Sequence, residues 1–171
     1  MINKELKVIF IHIPKNAGTS IEQCLGGDLK KIHKGKVHAS PRDKHYRKLW
    51  KDESYFKFCF TRNPFDRLVS AYEYDNLMSK RKGYAMRPKG PDTARRNKVA
   101  SLAKLGAEGF NIFVKNFFYK RKGAAPYWYR RQSYWTEGEE YDFIGRVENI
   151  QNDFQFVSDK LQIENKLKKI N

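Results

Sequence analysis

An apolar run that leads straight into a small polar turn constrains the fold of this chain more than any other feature. Residues 8–13 read Val-Ile-Phe-Ile-His-Ile, and this run is far shorter than the ~20 apolar residues that a membrane span requires. A short apolar run of this kind is typical of a strand that is covered on both faces, as in a parallel sheet. We therefore predict a buried strand at residues 8–13.

The turn after this strand carries groups that bind phosphate. Residues 14–20 read Pro-Lys-Asn-Ala-Gly-Thr-Ser, and a short helix is predicted from Thr19 to Leu25. The N–H groups and dipole of a helix start favour an anion, and Lys15 adds a positive charge. The spacing differs from the G-x-x-x-x-G-K-[ST] loop of nucleotide hydrolases, because Lys15 stands four residues before Thr19 and the turn has one glycine. We predict a phosphate site without the magnesium arrangement of that loop.

The length and charge of the chain limit its function classes. With 171 residues, the chain is predicted to form a single domain over residues 1–171. Its net charge of +16 attracts polyanions, so nucleic acid, an acidic glycan, a phosphorylated cofactor and an anionic membrane surface are all compatible partners. The charge alone does not choose among them.

The cysteines and the first residues indicate the compartment. Cys24 and Cys59 do not stand in a spacing that binds a metal, and we predict two buried thiols rather than a disulfide framework. The polar residues before the first strand do not form a signal peptide, and no stretch is long enough for a membrane anchor. We therefore expect a soluble, cytoplasmic protein.

Strand-like and helix-like patterns alternate along the rest of the chain. Strands are predicted at residues 30–37, 55–61 and 141–144, and helices at residues 42–49, 64–79, 99–105, 108–119 and 149–161. The predicted apolar face of the helix at 64–79 consists of Phe65, Leu68, Val69 and Tyr72. The stretch 80–98 is rich in Lys, Arg, Gly and Pro, and we interpret it as a mobile basic loop. The alternation predicts an α/β domain with a mainly parallel sheet.

A second set of anion-binding groups follows the strand at 55–61. Arg62 comes directly after this strand, at the end of the sheet where ligands of parallel sheets bind. Ser70 lies on the next helix, about 10 Å along the helix axis from Asn63. A guanidinium and a hydroxyl so placed can hold a phosphate. Two anion sites after two adjacent strands imply a ligand with two phosphate-like groups.

Three segments of the chain resemble segments of the sulfotransferases that use 3′-phosphoadenosine 5′-phosphosulfate (PAPS). Residues 13–20 resemble the 5′-phosphosulfate loop of the cytosolic and Golgi enzymes, and residues 62–72 resemble their 3′-phosphate-binding strand and helix. Residues 143–149, Phe-Ile-Gly-Arg-Val-Glu-Asn, resemble a segment of the carbohydrate sulfotransferase branch. The resemblance covers residues 8–154, and the family usually continues further past the last helix than this chain does.

The resemblance implies a P-loop-like, three-layer α/β fold and transfer of a sulfuryl group from PAPS to a hydroxyl or amine of an acceptor, above all a carbohydrate. The other product would be adenosine 3′,5′-bisphosphate (PAP), and no metal would be required. By position, Lys15 would be catalytic, because its charge would stabilise the leaving oxygens. The 5′-phosphate would be held by Lys15, Asn16, Ala17, Gly18, Thr19 and Ser20, and the 3′-phosphate by Arg62 and Ser70.

His38 is the predicted catalytic base that takes the proton of the acceptor. It follows the predicted strand at 30–37, where some carbohydrate sulfotransferases also place a histidine, and an imidazole accepts a proton near neutral pH. Glu148 is a second candidate, although its place at a helix start favours a capping or orienting role. His12 is predicted to pack within the first strand.

Basic and aromatic residues in the second half of the chain are predicted to bind the acceptor. The basic stretches 80–98 and 115–131 would line a groove for the acceptor, a glycan or another hydroxyl-bearing small molecule, and they would suit an anionic one. Aromatic rings would stack on sugar rings, and an amide would hydrogen-bond their hydroxyls. The predicted acceptor-binding residues are Tyr127, Trp128, Arg131 and Gln132.

Two other function classes stay open from the sequence. A nucleic-acid-binding module would explain basic patches with interleaved aromatic residues, but it does not explain two phosphate sites after two strands. A P-loop kinase of small molecules would explain the phosphate turn, but the chain lacks the Gly-x-x-x-x-Gly-Lys pattern.

Overall fold

The computed structural model describes residues 1–26, 38–80, 91–116, 129–164 and 167. The chain divides into a first unit, residues 1–63 together with 130–171, and a second unit, residues 64–129. The strand predicted at residues 30–37 lies outside the described residues, as do residues 81–90 of the predicted basic loop. The single domain over residues 1–171 stays a prediction.

The described part of the first unit is built on a four-stranded sheet. Its strands are β1 (Ile2–Asn3), β2 (Val8–Ile11), β3 (Phe56–Thr61) and β4 (Phe143–Arg146), in the order β1-β2-β3-β4. β1 is antiparallel to β2, whereas β2, β3 and β4 run parallel to one another. The predicted α/β fold with a mainly parallel sheet is confirmed.

The helices of the described residues are α1 (Gly18–Cys24), α2 (Lys44–Trp50), α3 (Pro64–Ser79), α4 (Pro91–Ala103), α5 (Gly106–Val114), α6 (Ser133–Thr136) and α7 (Ile150–Leu161). A 3₁₀ turn at Val147–Asn149 precedes α7. α3, α4 and α5 belong to the second unit. In this part of the chain, no helix combines the length and the apolar composition that a membrane crossing needs.

α4 corrects the interpretation of residues 80–98 as a loop. The helix begins at Pro91, so residues 91–98 are helical. Proline suits the first position of a helix, because its missing N–H would have no acceptor there. No glycine or proline interrupts residues 92–103, and Arg, Lys and Ala favour a helix. Residues 91–98 were therefore predicted as a loop from their basic composition, although they form the first part of a helix.

The sheet of the first unit is buried on both faces. One face packs with α1 and α7 in a core that contains Val8, Phe10, Phe58, Phe60, Ile21, Leu25, Ile150, Phe154 and Val157. Ile9, Ile11 and Cys59 point to the opposite face, because side chains alternate along a strand, and they are also fully buried. This double burial explains the continuous apolar run in β2. Cys59 is buried as predicted, whereas Cys24 is half-buried.

α3 buries only part of the predicted face. Its buried residues are Arg67, Ala71, Tyr72, Asp75 and Met78. Tyr72 is buried and Leu68 packs against the apolar core of the second unit, as predicted. Phe65 is 77% exposed and Val69 is 45% exposed, so this half of the predicted apolar face is wrong. The buried side of the helix also carries Asp75, whose carboxylate has partners elsewhere in the second unit.

Asp75 is the centre of a buried ionic cluster in the second unit. Its carboxylate accepts hydrogen bonds from Nε of Arg95 at 2.7 Å, Nε of Arg96 at 3.3 Å and the hydroxyl of Tyr129 at 2.7 Å. Burial, reinforced by the charge of Asp75, raises the pKa of Tyr129, so this hydroxyl stays protonated and donates. The cluster joins α3, α4 and Tyr129 beside an apolar core of Ala71, Tyr72, Val99 and Phe113.

Candidate anion-binding site

β2 and β3 bring two cationic residues to the same edge of the sheet. The strands are parallel neighbours, and Ile11 pairs with Cys59. Lys15 follows β2 in the β2–α1 turn (residues 12–17), and Arg62 directly follows β3. Nη1 of Arg62 donates to the main-chain carbonyl of Lys15 at 3.4 Å. Both residues are half-buried, so part of each is accessible to a ligand at this edge.

Two residues of the β2–α1 turn adopt left-handed backbone conformations without being glycine. φ is 68° at Lys15 and 60° at Ala17. Such conformations cost roughly 1–2 kcal/mol each, and they cluster at ligand-binding sites. The strain in this turn therefore points to a binding role.

The start of α1 presents hydrogen-bond donors. The N–H groups of Ser20 and Ile21 donate to the carbonyl of Ala17, at 3.0 and 3.2 Å. The N–H groups of Gly18 and Thr19 precede the first bond of the helix, so they have no acceptor inside α1. Thr19 is exposed, and its hydroxyl is a further donor. The partial positive charge at this helix start suits an anion.

Gly18 packs against the ring of His12. A Cβ atom at position 18 would lie 2.1 Å from Cδ2 of His12, so a larger residue cannot fit without moving the ring. His12 is 6% exposed, and its Nδ1 lies 3.1 Å from Oε1 of Glu22, which is fully buried. This contact is within ion-pair distance but is not aligned as a hydrogen bond. His12 packs in the interior, as predicted, whereas the sequence did not single out Glu22.

His38 lies beside His12, in an orientation that assigns its ring nitrogens. Nδ1 of His38 is 2.9 Å from the main-chain oxygen of His12. The two imidazole rings meet edge to face, with their centroids 4.4 Å apart. A carbonyl oxygen can only accept, so Nδ1 carries the hydrogen, and Nε2 is the basic nitrogen of the neutral ring. The geometry therefore leaves the proton-accepting role to Nε2.

Trp135 fixes the main chain of His38. Its indole N–H donates to the carbonyl of His38 at 3.0 Å, and its own carbonyl accepts from the hydroxyl of Tyr141 at 2.8 Å. The side chain of Trp135 is fully buried. Sequence reasoning missed this residue, because it lies 97 residues from His38 and no local pattern marks the contact.

Gln132 connects the β2–α1 turn to the end of β3. Its Oε1 accepts from Nδ2 of Asn16 at 2.6 Å and from the main-chain N–H of Arg62 at 2.9 Å. Its Nε2 donates to the carbonyl of Arg62 at 2.7 Å. Nδ2 of Asn16 also donates to the carbonyl of Phe60 at 2.7 Å. Gln132 was predicted to bind an acceptor. The structure instead places its amide between the β2–α1 turn, which carries Lys15, and the end of β3, which carries Arg62.

The remaining predicted site residues lie in other places. Glu148 accepts the main-chain N–H of Asn63 through Oε1, which agrees with an orienting role. Ser70 is half-buried on α3, in the second unit. Arg131 is exposed in the first unit. The two aromatic residues predicted to stack on sugars, Tyr127 and Trp128, lie outside the described residues.

Comparison with known families gives a match over the whole chain. Residues 1–171 match a family model described as the sulfotransferase family. No curated protein and no solved structure gave a match.

Proposed function

The chain belongs to the sulfotransferase family, and on this premise we propose that it transfers a sulfuryl group from PAPS to a hydroxyl or amine of an acceptor, above all a carbohydrate. Membership makes the protein a transferase of sulfuryl groups, so it favours this reaction over the kinase and the nucleic-acid-binding module. The observation that best supports PAPS as the donor is the strained β2–α1 turn with its lysine, which adjoins the strand end with its arginine.

The donor groups of the β2–α1 turn and of α1 suit the 5′-phosphosulfate of PAPS. Lys15 contributes an ammonium group, and the start of α1 contributes main-chain N–H groups and the hydroxyls of Thr19 and Ser20. Glu22, the acidic residue of α1, is fully buried near His12, so it does not present a carboxylate to a phosphate at the surface. Asn16, Ala17 and Gly18 complete the proposed binding segment.

Arg62 suits the 3′-phosphate of the same ligand. Arg62 is half-buried at the end of β3, and Gln132 bonds both its main-chain N–H and its carbonyl. A guanidinium gives two parallel hydrogen bonds to a phosphate, which fixes the orientation of the ligand. Ser70, the second residue that the resemblance assigns to this phosphate, stays a prediction.

Two side chains are proposed to act on the reacting atoms. PAPS, when bound, supplies the sulfuryl group together with its phosphate leaving group. Nε2 of His38 takes the proton of the acceptor hydroxyl, because Nδ1 is engaged with the carbonyl of His12. The ammonium group of Lys15 stabilises negative charge that develops on the leaving oxygen. We propose that these residues need no metal.

An anionic glycan is the proposed acceptor class. The net charge of +16 raises the rate at which any polyanion meets the protein. Arg131 is exposed and adjoins Gln132 in the chain, so a cation stands next to a residue that bonds both anion-binding elements. Stacking of sugars on Tyr127 and Trp128 stays a prediction.

Binding of PAP tests the donor. We expect PAP to raise the Tm, because a ligand that binds only the native state stabilises it by about 2.7 kcal/mol at 100 times its Kd. Lys15→Ala should shrink this shift and lower sulfuryl transfer by a factor of about 100 or more, because the charge at the leaving oxygen is lost. Lys51→Ala removes the same charge from an exposed position of the first unit, so it is the matched control and should behave as wild type.

A folded protein whose Tm does not move in millimolar PAP would refute PAPS as the donor. Transfer of label from PAPS to glycans, lipids and phenols would identify the acceptor class. His38→Ala should lower kcat and leave the affinity for PAP as in wild type. Transfer should continue in the presence of a chelator, and its loss would refute the proposed metal independence.

A further inference from the structure

We propose that Gln132 is a positioning residue, which holds the β2–α1 turn and Arg62 in one fixed arrangement for a ligand with two phosphates. The inference rests on the proposed function, because it assigns Gln132 to the same site. In this role Gln132 touches no reacting atom. It acts through Asn16 on the turn and through the main chain of Arg62.

The amide of Gln132 pairs with Arg62 as a neighbouring strand would. The N–H of Arg62 donates to Oε1 at 2.9 Å, and its carbonyl accepts from Nε2 at 2.7 Å. The pairing of β3 with β4 ends at Thr61, opposite Arg146, so Arg62 stands one residue past the ladder. Gln132 therefore extends the ordered part of β3 to the residue that carries the guanidinium.

The same amide anchors the β2–α1 turn through Asn16. Nδ2 of Asn16 donates to Oε1 of Gln132 at 2.6 Å and to the carbonyl of Phe60 at 2.7 Å. Asn16 is 1% exposed, and it stands between the left-handed residues Lys15 and Ala17. Anchoring this side chain opposes relaxation of the turn toward an unstrained backbone.

The hydrogen-bonding capacity of Gln132 is largely used by the protein itself, which favours positioning over acceptor binding. A glutamine oxygen has two lone pairs, and Asn16 and Arg62 occupy both. The carbonyl of Arg62 takes one of the two Nε2 hydrogens. An acceptor hydroxyl therefore cannot donate to Oε1, because residues distant in the sequence already occupy this oxygen.

α6 extends this support to His38. Gln132 directly precedes α6, and its carbonyl accepts the N–H of Trp135 at 2.9 Å. The indole of Trp135 donates to the carbonyl of His38 at 3.0 Å. Gln132 and the short helix α6 that follows it thus contact the β2–α1 turn, the end of β3 at Arg62 and the main chain of His38.

Hydrogen exchange in the ligand-free protein tests the positioning role. Gln132→Met keeps the length of the side chain and removes its hydrogen-bonding groups, so we expect the amide of Arg62 to exchange about tenfold faster. The amide of Cys59, inside β3, should keep its rate. Gln155→Met is the matched control, because Gln155 is an exposed glutamine of α7 that bonds Asp159.

Ligand affinity gives the second measurement. The gain from the 3′-phosphate is the Kd of adenosine 5′-phosphate divided by the Kd of PAP. We expect Gln132→Met to lower this ratio about tenfold, because a guanidinium that is not held in place must be ordered when the ligand binds. Gln155→Met should leave the ratio at its wild-type value.

Each outcome decides for or against the inference. An unchanged exchange rate at Arg62 in folded Gln132→Met overturns the positioning role, whether or not PAP binds. Faster exchange together with an unchanged gain in affinity from the 3′-phosphate also overturns it, since the hydrogen bonds of Gln132 to Arg62 would then stabilise the fold without affecting ligand binding. If wild type binds no PAP, the proposed function fails and takes this role with it. If Gln132→Met does not fold, Gln132→Asn, one methylene shorter, replaces it with the same expected changes.

Discussion

Residue 18 is a glycine because of space rather than backbone conformation. The left-handed residues of the β2–α1 turn are Lys15 and Ala17, so the unusual φ values do not fall on its glycine neighbour. Gly18 instead leaves room for the ring of His12, which a Cβ atom would approach to 2.1 Å. The ring in turn lies against the buried carboxylate of Glu22. The proposed phosphate-binding segment thus packs on two buried titratable side chains, His12 and Glu22.

Gly18→Ala should displace the ring of His12. We expect the free energy of unfolding to fall by about 1–3 kcal/mol, the usual cost of overpacking. The affinity for PAP should fall as well, because α1 begins at this residue and its start would shift. Urea unfolding and calorimetric titration with PAP measure the two effects.

Gly109→Ala is the matched control for this prediction. A Cβ atom there would lie 1.8 Å from the carbonyl oxygen of Leu102, so the variant should also lose stability. Gly109 is on α5, which carries no proposed ligand group, so its affinity for PAP should stay at the wild-type value. Wild-type affinity in Gly18→Ala would contradict the link between His12 and the turn.

The sequence indicates which residues are candidates for ligand binding, but it does not indicate which residues fix their positions. Lys15 and Arg62 each follow an apolar strand, and a parallel sheet brings such positions to one edge. Gln132 and Trp135 hold this edge through contacts that span 70 and 97 residues. Neither a motif nor a periodic pattern encodes contacts of that separation, so only the folded chain reveals them.

Among the elements, α3 shows that a helix can bury charge in place of apolar residues. Its bounds, Pro64–Ser79, were predicted correctly. Its buried face was predicted only in part, because a hydrophobicity pattern treats Asp75 and Arg67 as exposed and Phe65 as buried. A carboxylate can be buried when guanidinium and hydroxyl partners satisfy it, and those partners come from other elements.

Asp75→Asn should destabilise the second unit strongly. It removes the carboxylate that bonds both Arg95 and Arg96, and breaking a buried ion pair from one side costs about 3–5 kcal/mol. Tyr129→Phe removes one hydrogen bond of the same cluster and should cost only about 1 kcal/mol. Denaturant unfolding compares the two variants. A loss in Asp75→Asn no larger than that in Tyr129→Phe would argue against an ionic role for the cluster.

At the scale of the whole molecule, the sheet was predictable and the division into units was not. Apolar runs such as Val8–Ile11 predict strands that are covered on both faces, and such strands form parallel sheets. The boundary between the units falls between Asn63 and Pro64, inside the segment 62–72 that the sequence presents as one strand–helix motif. Local patterns describe neighbours in the chain, whereas a unit is defined by contacts between distant parts.

Stability should fall at alkaline pH because protons are buried in and around β3. Burial raises the pKa of the Cys59 thiol to about 12, and burial also raises the pKa of the Tyr141 hydroxyl. Below the usual thiol pKa of about 8.5, both the folded and the unfolded chain hold the Cys59 proton. The contribution of this thiol to the free energy of unfolding is therefore fully present there. Above that pH the unfolded chain releases the proton first, so the free energy of unfolding falls by up to about 1.4 kcal/mol per pH unit for this group.

Cys59→Ala isolates this contribution. Between roughly pH 8 and pH 11, its Tm should fall less steeply than that of wild type, because one proton-linked group is gone. Cys24→Ala, which removes the half-buried thiol, is the control and should keep the wild-type slope. Equal slopes for wild type and Cys59→Ala would show that this thiol does not couple pH to folding.

During synthesis, the first unit cannot be completed until the second unit has been made, because its two segments flank the second unit in the chain. β2 and β3 leave the ribosome before residues 64–129, whereas β4, α7 and Gln132 leave it after them. The second unit can be completed in that interval, since domains fold as units as they emerge. Until β4 arrives, the edge of β3 that it will cover is open to strands of other chains. The chain is therefore most exposed to misassociation after the second unit has emerged and before β4 (Phe143–Arg146) follows it.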